Sequence, residues 1–283
     1  MKKFALILAS IGALFGLSGC LQNETTITVK ADGSGTVVEE TMLGAQMAAM
    51  LGGLGGLGAE PGAAPEDPLA EMFSEDKAKE KAAKMGEGVS LVKVEKIDKD
   101  GKKGGRVTYA FKDINKLKIG LDSGMDALEG PAAGMPGGEE AIEEAEEASD
   151  PVQFQFADGK LTVVLPQPDK DGEAAEIEIP EKAEEKSPED AQAEAMAKAM
   201  FADMKMAVKL VIEPGIKKCD ATHVEGNTIT LMEMNFGELL QDEKGMKLLD
   251  QMEDMKPEQA GKLLEGVKGV KFETKEKITV EMK

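Results

Sequence analysis

TTITVKADGSGTVVEETML, residues 25–43, is the stretch that decides the fold. β-Branched and apolar residues alternate with polar residues on both sides of the turn Asp32-Gly33-Ser34-Gly35. A period of two places alternate side chains on opposite faces of a strand, and Gly-rich turns join antiparallel neighbours. The stretch therefore predicts a β-hairpin with one buried face and one solvated face.

The same signals recur along the rest of the chain. The segments 89–97 and 105–111 predict a second hairpin around Asp100-Gly101, and the segments 152–156 and 161–165 predict a third around Asp158-Gly159. We expect a strand over 206–212, a hairpin of 216–224 with 227–236, and one final strand over 270–282. Ser74 to Met85 predicts a helix that ends at Gly86.

Further helices are expected in the C-terminal half. Ser187 can cap a helix in which Pro188 occupies the first turn. An apolar face then recurs at helical spacing through Ala193, Met196, Ala197, Met200, Phe201 and Met204. Two short helices are predicted at 246–255 and 257–267. The sequence thus predicts an α+β fold, a largely antiparallel sheet built from β-hairpins with a few helices packed on one face.

Composition divides the chain into two parts with insertions. The segment 44–68 is rich in Gly and Pro and is expected to be a flexible loop. The segment 123–151 is rich in Glu and is expected to be flexible as well, and 169–187 is a charged linker. We expect an N-terminal part, 20–182, and a C-terminal part, 187–283, that interlock rather than form separate lobes.

The N-terminus carries a targeting signal. Lys2 and Lys3 precede an apolar run that is too short to span a bilayer comfortably, and Leu17-Ser18-Gly19-Cys20 follows. These residues resemble the signal peptide and lipobox of bacterial lipoproteins. The resemblance implies a signal peptide over 1–19, cleavage between Gly19 and Cys20, and acylation of Cys20 with diacylglycerol and a fatty acid such as palmitate. The alternative is an ordinary signal peptide with a chance cysteine.

The resemblance also implies a location in the cell envelope. Leu21, in place of Asp, favours the outer membrane facing the periplasm if the cell is Gram-negative. With a strand expected from Thr25, the residues Leu21 to Glu24 form a tether of about 15 Å. The formal charge of −20 predicts repulsion from anionic lipid and from nucleic acid, and we expect no nucleic-acid partner.

A second resemblance concerns the mature chain. The hairpin 25–43 with its DGSG turn, the run 208–216 with Pro214-Gly215, and Asn227-Thr228-Ile229-Thr230 are similar to LppM-like domains of uncharacterised bacterial lipoproteins. The Trp that often follows the Asn-containing strand in that family is absent, and Met232 to Met234 take its place. The resemblance implies an envelope lipoprotein of α+β fold and no catalytic residue.

Candidate sites for metals are weak. Thioether sulfurs can bind Cu(I), but methionine side chains also fill apolar cores, and the second interpretation is favoured here. The methionines in question are Met196, Met200, Met204 and Met206, and then Met232, Met234, Met246, Met252 and Met255. Cys219 and His223 are expected about 13 Å apart along a strand. Two Asp-rich turns, 98–101 and 169–172, favour hairpin turns over calcium loops. We expect no metal and no cofactor.

Catalytic patterns are absent from the sequence. There is one His, no Gly-x-Ser-x-Gly motif and no phosphate loop, so we expect no enzyme. The main hypothesis is a non-enzymatic, lipid-anchored binding or structural lipoprotein of the cell envelope, held to the membrane by Cys20 and contacting an envelope partner. The alternatives are a small-ligand or lipid-binding module with an apolar pocket between the sheet and the Met-rich helix, and an enzyme that uses scattered carboxylates.

Overall fold

The computed structural model describes residues 21–45, 48, 68–99, 101–121, 151–166, 204–242, 244–245 and 266–283. The expected signal peptide 1–19, Cys20, the expected linker 169–187 and nearly all of the expected insertions 44–68 and 123–151 lie outside the described residues. The expected helices over 187–203, 246–255 and 257–265 lie outside them too. Whether helices pack on one face therefore stays a prediction, as do the domain boundaries.

The described chain is mostly β-strand. Its strands are β1 Leu21–Val29, β2 Gly35–Leu43, β3 Ser90–Lys99, β4 Lys102–Phe111, β5 Gln153–Ala157, β6 Lys160–Val164, β7 Lys205–Ile212, β8 Ile216–Cys219, β9 Val224–Glu225, β10 Thr228–Asn235, β11 Val270–Phe272 and β12 Lys277–Met282. Its helical elements are α1 Pro68–Met72, α2 Glu75–Lys84, a 3-10 turn Ile114–Lys116 and α3 Phe236–Leu239.

These strands form two sheets. The larger sheet has the order β11-β10-β7-β1-β2-β4-β3, with β9 added beside β10. The smaller sheet has the order β5-β6-β12-β8. Within the described strands, β1 and β7 form the parallel pair, and the other named pairs are antiparallel. The coarse prediction of a largely antiparallel sheet made from hairpins is thus confirmed.

The first hairpin is confirmed and is longer than predicted. β1 pairs with β2 from Leu21 opposite Leu43 to Val29 opposite Gly35. The expected tether Leu21 to Glu24 is therefore wrong, because these residues are already part of the strand and the Leu21 side chain is only 3% exposed. The sequence did not predict a strand over these residues because Gln22, Asn23 and Glu24 have low strand propensity. Pairing on both sides of β1 overrides that propensity.

The glycines of the first turn allow the two sheets to approach each other. Gly33 has a φ of +81°, and a Cβ there would lie 2.6 Å from the ring of Phe156 on β5. A Cβ on Gly35 would lie 1.9 Å from the carbonyl oxygen of Thr28 and 2.5 Å from the ring of Phe111. The DGSG turn therefore forms the hairpin, and its glycines leave room for Phe156 of the smaller sheet to pack against the turn.

Two predicted elements are wrong in the same way. The segment 216–224 was expected as one strand paired with 227–236, but β8 pairs with β12 in the smaller sheet and only β9 pairs with β10. The expected single strand 270–282 divides into β11 in the larger sheet and β12 in the smaller one. In both cases the chain passes between sheets, and strand periodicity carries no information about which sheet a strand joins.

One contiguous core lies between the sheets. It contains Ile27, Val37 and Tyr109 of the larger sheet and Leu161 and Val280 of the smaller sheet, all at most 1% exposed. Helix α2 adds Ala78 and Ala82 to this core. Ser74 caps α2 and accepts a hydrogen bond from the Lys77 backbone N–H, which confirms the predicted start of that helix.

Candidate functional site

The two faces of the larger sheet differ in chemistry. In β1, Leu21, Ile27 and Val29 point into the core between the sheets, while Glu24 and Thr26 are partly exposed on the other side. We call that other side the outer face. Most of its residues are polar or charged, so alternation along each strand produces a face that needs no apolar cover.

One cross-strand row on the outer face is almost entirely charged. The register aligns residues from seven strands, in the order Glu95, Arg106, Glu40, Glu24, Ala207, Glu233 and Lys271. We call this set the charge row. Glu24 and Glu40 are direct cross-strand neighbours, and like charges in that position destabilise a sheet unless each has its own cation.

Each of these two carboxylates has a cation beside it. The Arg106 guanidinium donates to Glu40 Oε2 from Nε at 2.9 Å and from Nη2 at 2.5 Å. On the other side, Lys209 Nζ donates to Glu24 Oε2 at 2.5 Å. The hydrogen bond and the charge of Glu40 raise the pKa of Arg106. Each of the two neighbouring carboxylates in the charge row thus has its own cation on the same exposed surface.

The ends of the charge row are paired as well. Lys93 lies 2.8 Å from Glu95 Oε2, and this hydrogen bond lowers the pKa of Glu95. At the other end, Glu233 lies 3.2 Å from Lys271 and 3.9 Å from Lys205. The exposed side chains of such pairs contribute little to stability. Their arrangement instead presents a fixed pattern of charge to whatever approaches this face.

An open depression of about 810 Å³ lies on the outer face around these pairs. It is lined by residues of β1, β2, β3, β4 and β7, namely Gln22, Asn23, Glu24, Thr26, Val38, Glu40, Met42, Lys93, Arg106, Thr108 and Lys205. The lining offers hydroxyl, carboxylate and cationic groups to one ligand or partner. It suits a surface that carries both charges and hydroxyl or amide groups.

The charge of the chain is unevenly distributed. The described residues contain 25 Lys or Arg and 22 Asp or Glu, although the whole chain has 34 basic and 54 acidic residues. The residues 122–150 alone contain ten Asp or Glu and no Lys or Arg. The net charge of −20 for the whole chain therefore differs from the formal charge of the described residues, 25 − 22 = +3.

A second polar cluster lies inside the fold, on the core side of the larger sheet. Asn23 Nδ2 donates to Thr41 Oγ1 at 2.9 Å, and both residues are at most 5% exposed. Near them, Lys81 of α2 lies 2.9 Å from Glu39, whose side chain is 8% exposed. This cluster ties α2 to β2. Because Asn23, Thr41 and Glu39 are at most 8% exposed, their side chains serve packing rather than recognition.

The predicted pair Cys219 and His223 makes structural contacts instead of a site. The segment between them is a loop, not the extended strand that the sequence predicted. Burial raises the pKa of the half-buried Cys219 thiol, and its Sγ accepts a hydrogen bond from the Ala221 N–H at 3.3 Å. His223 Nε2 donates to the Phe272 carbonyl at 3.1 Å. A thiol with a raised pKa is a poor nucleophile and a poor metal ligand at neutral pH.

The sequence did not reveal the residue that holds this loop. Glu273 is 7% exposed and accepts hydrogen bonds from the Thr222 N–H at 2.6 Å and from the Thr222 hydroxyl at 2.8 Å. It also accepts from the Lys275 N–H at 3.1 Å. Nothing local in the sequence marks this Glu, because its partner is 51 positions away along the chain. In the described part of the chain, no group of three His, Cys, Asp or Glu side chains is arranged for a metal ion.

The other candidate residues fall into two groups. Met204, Met206 and Met232 are buried in the core, and Met234 packs partly buried in a small cluster around Leu239. The other methionines named above lie outside the described residues, and so do Gly19, Cys20 and the whole Met-rich helix before Met204. The apolar pocket expected against that helix therefore stays a prediction.

Gly101, with a φ of +76°, lies in the β3–β4 turn, as expected of an Asp-Gly turn rather than a calcium loop.

The start of β1 limits how far residue 20 can lie from the larger sheet. Leu21 is the first residue of a strand that has partners on both sides, so at most one peptide unit, about 3.8 Å between Cα atoms, separates it from residue 20. The depression begins beside the same residues, since Gln22 and Met42 line it. Among the described residues, no helix is long and apolar enough to cross a bilayer.

Comparisons with known proteins add little. No family model matches the chain, and no curated protein matches it. Among solved structures, it is similar to the folded domain of the LppM protein of Mycobacterium tuberculosis, determined by NMR. The two chains are 10% identical, and the alignment covers 78% of this chain and 86% of the other with a TM-score of 0.31. The neighbour carries the name of the domain type that the sequence resembles, but a TM-score below 0.5 carries no conclusion about this chain.

Proposed function

We propose that this chain is a lipid-anchored protein of the bacterial cell envelope that binds another envelope component through the outer face of its larger sheet. It has no catalytic role in this proposal. The observation that carries the proposal is the charge row with its depression, a fixed and exposed polar surface beside the first residue after Cys20. In a Gram-negative cell the anchor would lie in the outer membrane and face the periplasm.

The chemistry of the outer face supports a binding role. Ion pairs fixed at an interface give specificity and register, because a partner must present the complementary pattern of charge. Pairs such as Arg106 with Glu40 are already formed in the free protein, so the surface is preorganised. A partner that carries carboxylates and amines in a matching row would pair with these charged groups while the intramolecular pairs stay formed.

The anchor has a direct test. Mass spectrometry of the protein purified from its own envelope should give an N-terminal peptide that begins at Cys20 and carries acyl groups. The variant Cys20→Ser should lose the modification and leave the membrane fraction, whereas the control Cys219→Ser should keep both. An unmodified N-terminus that still carries residues 1–19 would overturn the anchoring part of the proposal.

The binding face has a separate test. A photo-crosslinking residue at Thr26 or Thr108, which line the depression, should capture an envelope component in intact cells. The same residue at Lys160, exposed on the smaller sheet, is the matched control and should capture none. Arg106→Gln in the Thr26 background should reduce the crosslink, whereas Lys96→Gln, at an exposed position of β3 outside the depression, should not. Equal capture from Lys160 and Thr26 would contradict the proposal.

A further inference from the structure

The outer edges of the two sheets are closed in different ways. At β5, the Asn115 side chain accepts the Phe156 N–H through Oδ1 at 2.6 Å and donates to the Phe156 carbonyl at 3.4 Å. Along β10, the short strands β9 and β11 pair with the edge, and between them the Thr230 N–H donates to the His223 carbonyl. The edge strand β8 has only four residues. Open strand edges invite foreign strands, so capping or shortening them prevents unwanted pairing.

The edge at β3 is long and has no such cap. The strand has ten residues and pairs with β4 on one side, and no described strand pairs with its other side. Lys99 and Lys102 form the last pair before a two-residue turn, so they are a hydrogen-bonded pair. Hydrogen-bonded and non-hydrogen-bonded pairs alternate from there. The backbone N–H and C=O groups of Val94, Lys96 and Asp98 therefore point away from β4.

The last five residues of β3 carry a charge pattern that is complementary to itself. They are Glu95, Lys96, Ile97, Asp98 and Lys99, so the signs of charge reverse when the segment is read from its other end. In an antiparallel pair of two such segments with Ile97 opposite Ile97, Lys96 lies opposite Asp98 of the other copy. Glu95 likewise lies opposite Lys99. Opposite charges directly across two strands stabilise their pairing, and a surface that complements itself about a two-fold axis is the basis of a symmetric dimer.

Other registers are less favourable. Directly opposed residues of an antiparallel ladder point to the same face, so a two-fold axis must pass through one residue. An axis at Glu95, Lys96 or Asp98 would place that charge opposite itself, which destabilises a sheet. An axis at Val94 avoids like charges but brings the bulge at Val92 into the ladder. The charges of this edge therefore exclude most pairings and favour the one centred on Ile97.

We propose that the chain forms a two-fold dimer in which the β3 edges of two copies pair antiparallel about Ile97. The partner is a second copy because the charge pattern that complements the segment 95–99 is the segment itself. The backbone groups of Lys96 that point away from β4 then meet those of Asp98 in the other copy and form four hydrogen bonds across the axis. The axis is perpendicular to the sheet, so both outer faces lie on one side of the dimer. This inference goes beyond the proposed function and does not depend on the anchor.

A disulfide trap tests the register. The full chain is purified in detergent with Cys20→Ser and Cys219→Ser, which remove its two cysteines, and Ile97→Cys then supplies the only thiol. The two residues 97 would form a non-hydrogen-bonded pair with Cα atoms about 4.5 Å apart, a distance that a disulfide can bridge. We expect oxidation with diamide to give a disulfide-linked dimer.

The matched control for the trap is Lys93→Cys in the same background. Lys93 lies on the same face of β3 as Ile97, and its side chain is 52% exposed, so random collisions would link it readily. In the proposed register the two residues 93 are about 26 Å apart along the strands, and their dimer yield should be about fivefold lower. Equal yields from the two variants, or no dimer from Ile97→Cys, would overturn the proposal.

Charge reversal tests the complementarity. In the Ile97→Cys background, Lys96→Glu and Asp98→Lys each put like charges across the axis, and each should lower the dimer yield about fivefold. A mixture of these two chains restores opposite charges at both positions and should recover the yield as a mixed dimer, identified by its mass. Lys160→Glu, an exposed site on the smaller sheet, is the control and should leave the yield unchanged. A mixture that does not recover would contradict the register.

A further pair of variants changes only exposed side chains and so leaves the fold intact. Lys96→Cys mixed with Asp98→Cys should give a disulfide between the two chains, whereas each variant alone should give little. Linking of either variant to itself as readily as to the other would overturn the register. The photo-crosslink from Thr26 to an envelope component should be unchanged by Lys96→Glu, because Lys96 does not line the depression. Failure of the dimer and failure of the proposed function are therefore separate outcomes.

Discussion

The two faces of the larger sheet are built from alternate residues of the same strands, yet they have opposite roles. On the core side, Ile27, Val37 and Tyr109 are at most 1% exposed. On the outer face, Glu24 and Arg106 expose 45% and 44% of their side chains. The comparison teaches that the core face carries the buried apolar contacts, whereas the outer face, which we propose for recognition, carries exposed ion pairs, so substitutions on the two faces should be separable.

The largest expected effect is on the core face. Ile27→Ala removes a fully buried side chain at the centre of β1 and should lower the free energy of unfolding by about 2–5 kcal/mol. Its neighbour Thr26 points to the outer face, and Thr26→Ala should change the free energy by less than about 0.5 kcal/mol. Urea unfolding of both variants measures the contrast, and similar losses would break the distinction between the faces.

A buried ion pair provides the next test. Lys81→Met leaves the carboxylate of Glu39, which is 8% exposed, without its ammonium partner from α2. We expect a loss of about 1.5–3 kcal/mol in the free energy of unfolding. The matched control on the same helix is Lys79→Met, whose pair with Glu75 is exposed and should contribute less than about 0.5 kcal/mol. A smaller loss for Lys81→Met than for Lys79→Met would contradict the role of the buried pair.

An ion pair on the outer face should contribute much less. Glu24→Gln, Lys209→Met and the double variant form a double-mutant cycle for the pair at 2.5 Å. We expect a coupling free energy below about 1 kcal/mol that falls further as salt rises. A coupling as large as the loss expected for Lys81→Met would show that the charge row supports the fold and is not only a surface for recognition.

The smallest expected effect is on the turn between β1 and β2. The hydroxyl and the backbone N–H of Ser34 donate to Asp32 at 2.7 and 3.0 Å, and the hydroxyl is the larger cause of a lowered Asp32 pKa. A lowered pKa in the folded state stabilises the turn above the unfolded pKa, and this stabilisation is lost as the pH falls through the folded value. Ser34→Ala should raise the pKa of Asp32 toward 3.8, as followed by NMR titration of its carboxyl carbon. An unchanged pKa would assign the shift to another donor.

Local patterns predicted the hairpins well and the sheets poorly. Asp32-Gly33, Gly101 and Asp158-Gly159 mark turns whose strands pair as expected. Alternation also gave the correct buried residues Ile27 and Val29 of β1. The charge row could be read only after register was known, because Glu24, Arg106 and Lys209 are far apart in sequence. The available signal was a charged residue at an outward-facing position of each strand, Glu24 in β1, Arg106 in β4 and Lys209 in β7.

By itself, the sequence determined the turns, the period of the strands and the resemblance to a lipobox at Leu17 to Cys20, because each depends on neighbouring residues. Only the tertiary structure decided that β1 begins at Leu21, that β8 and β12 leave the larger sheet, and that Glu40 and Glu24 share one charged row. The physical reason is that strand pairing joins residues distant in sequence. Two neighbouring strands stabilise positions of low propensity, and the register fixes which charges meet.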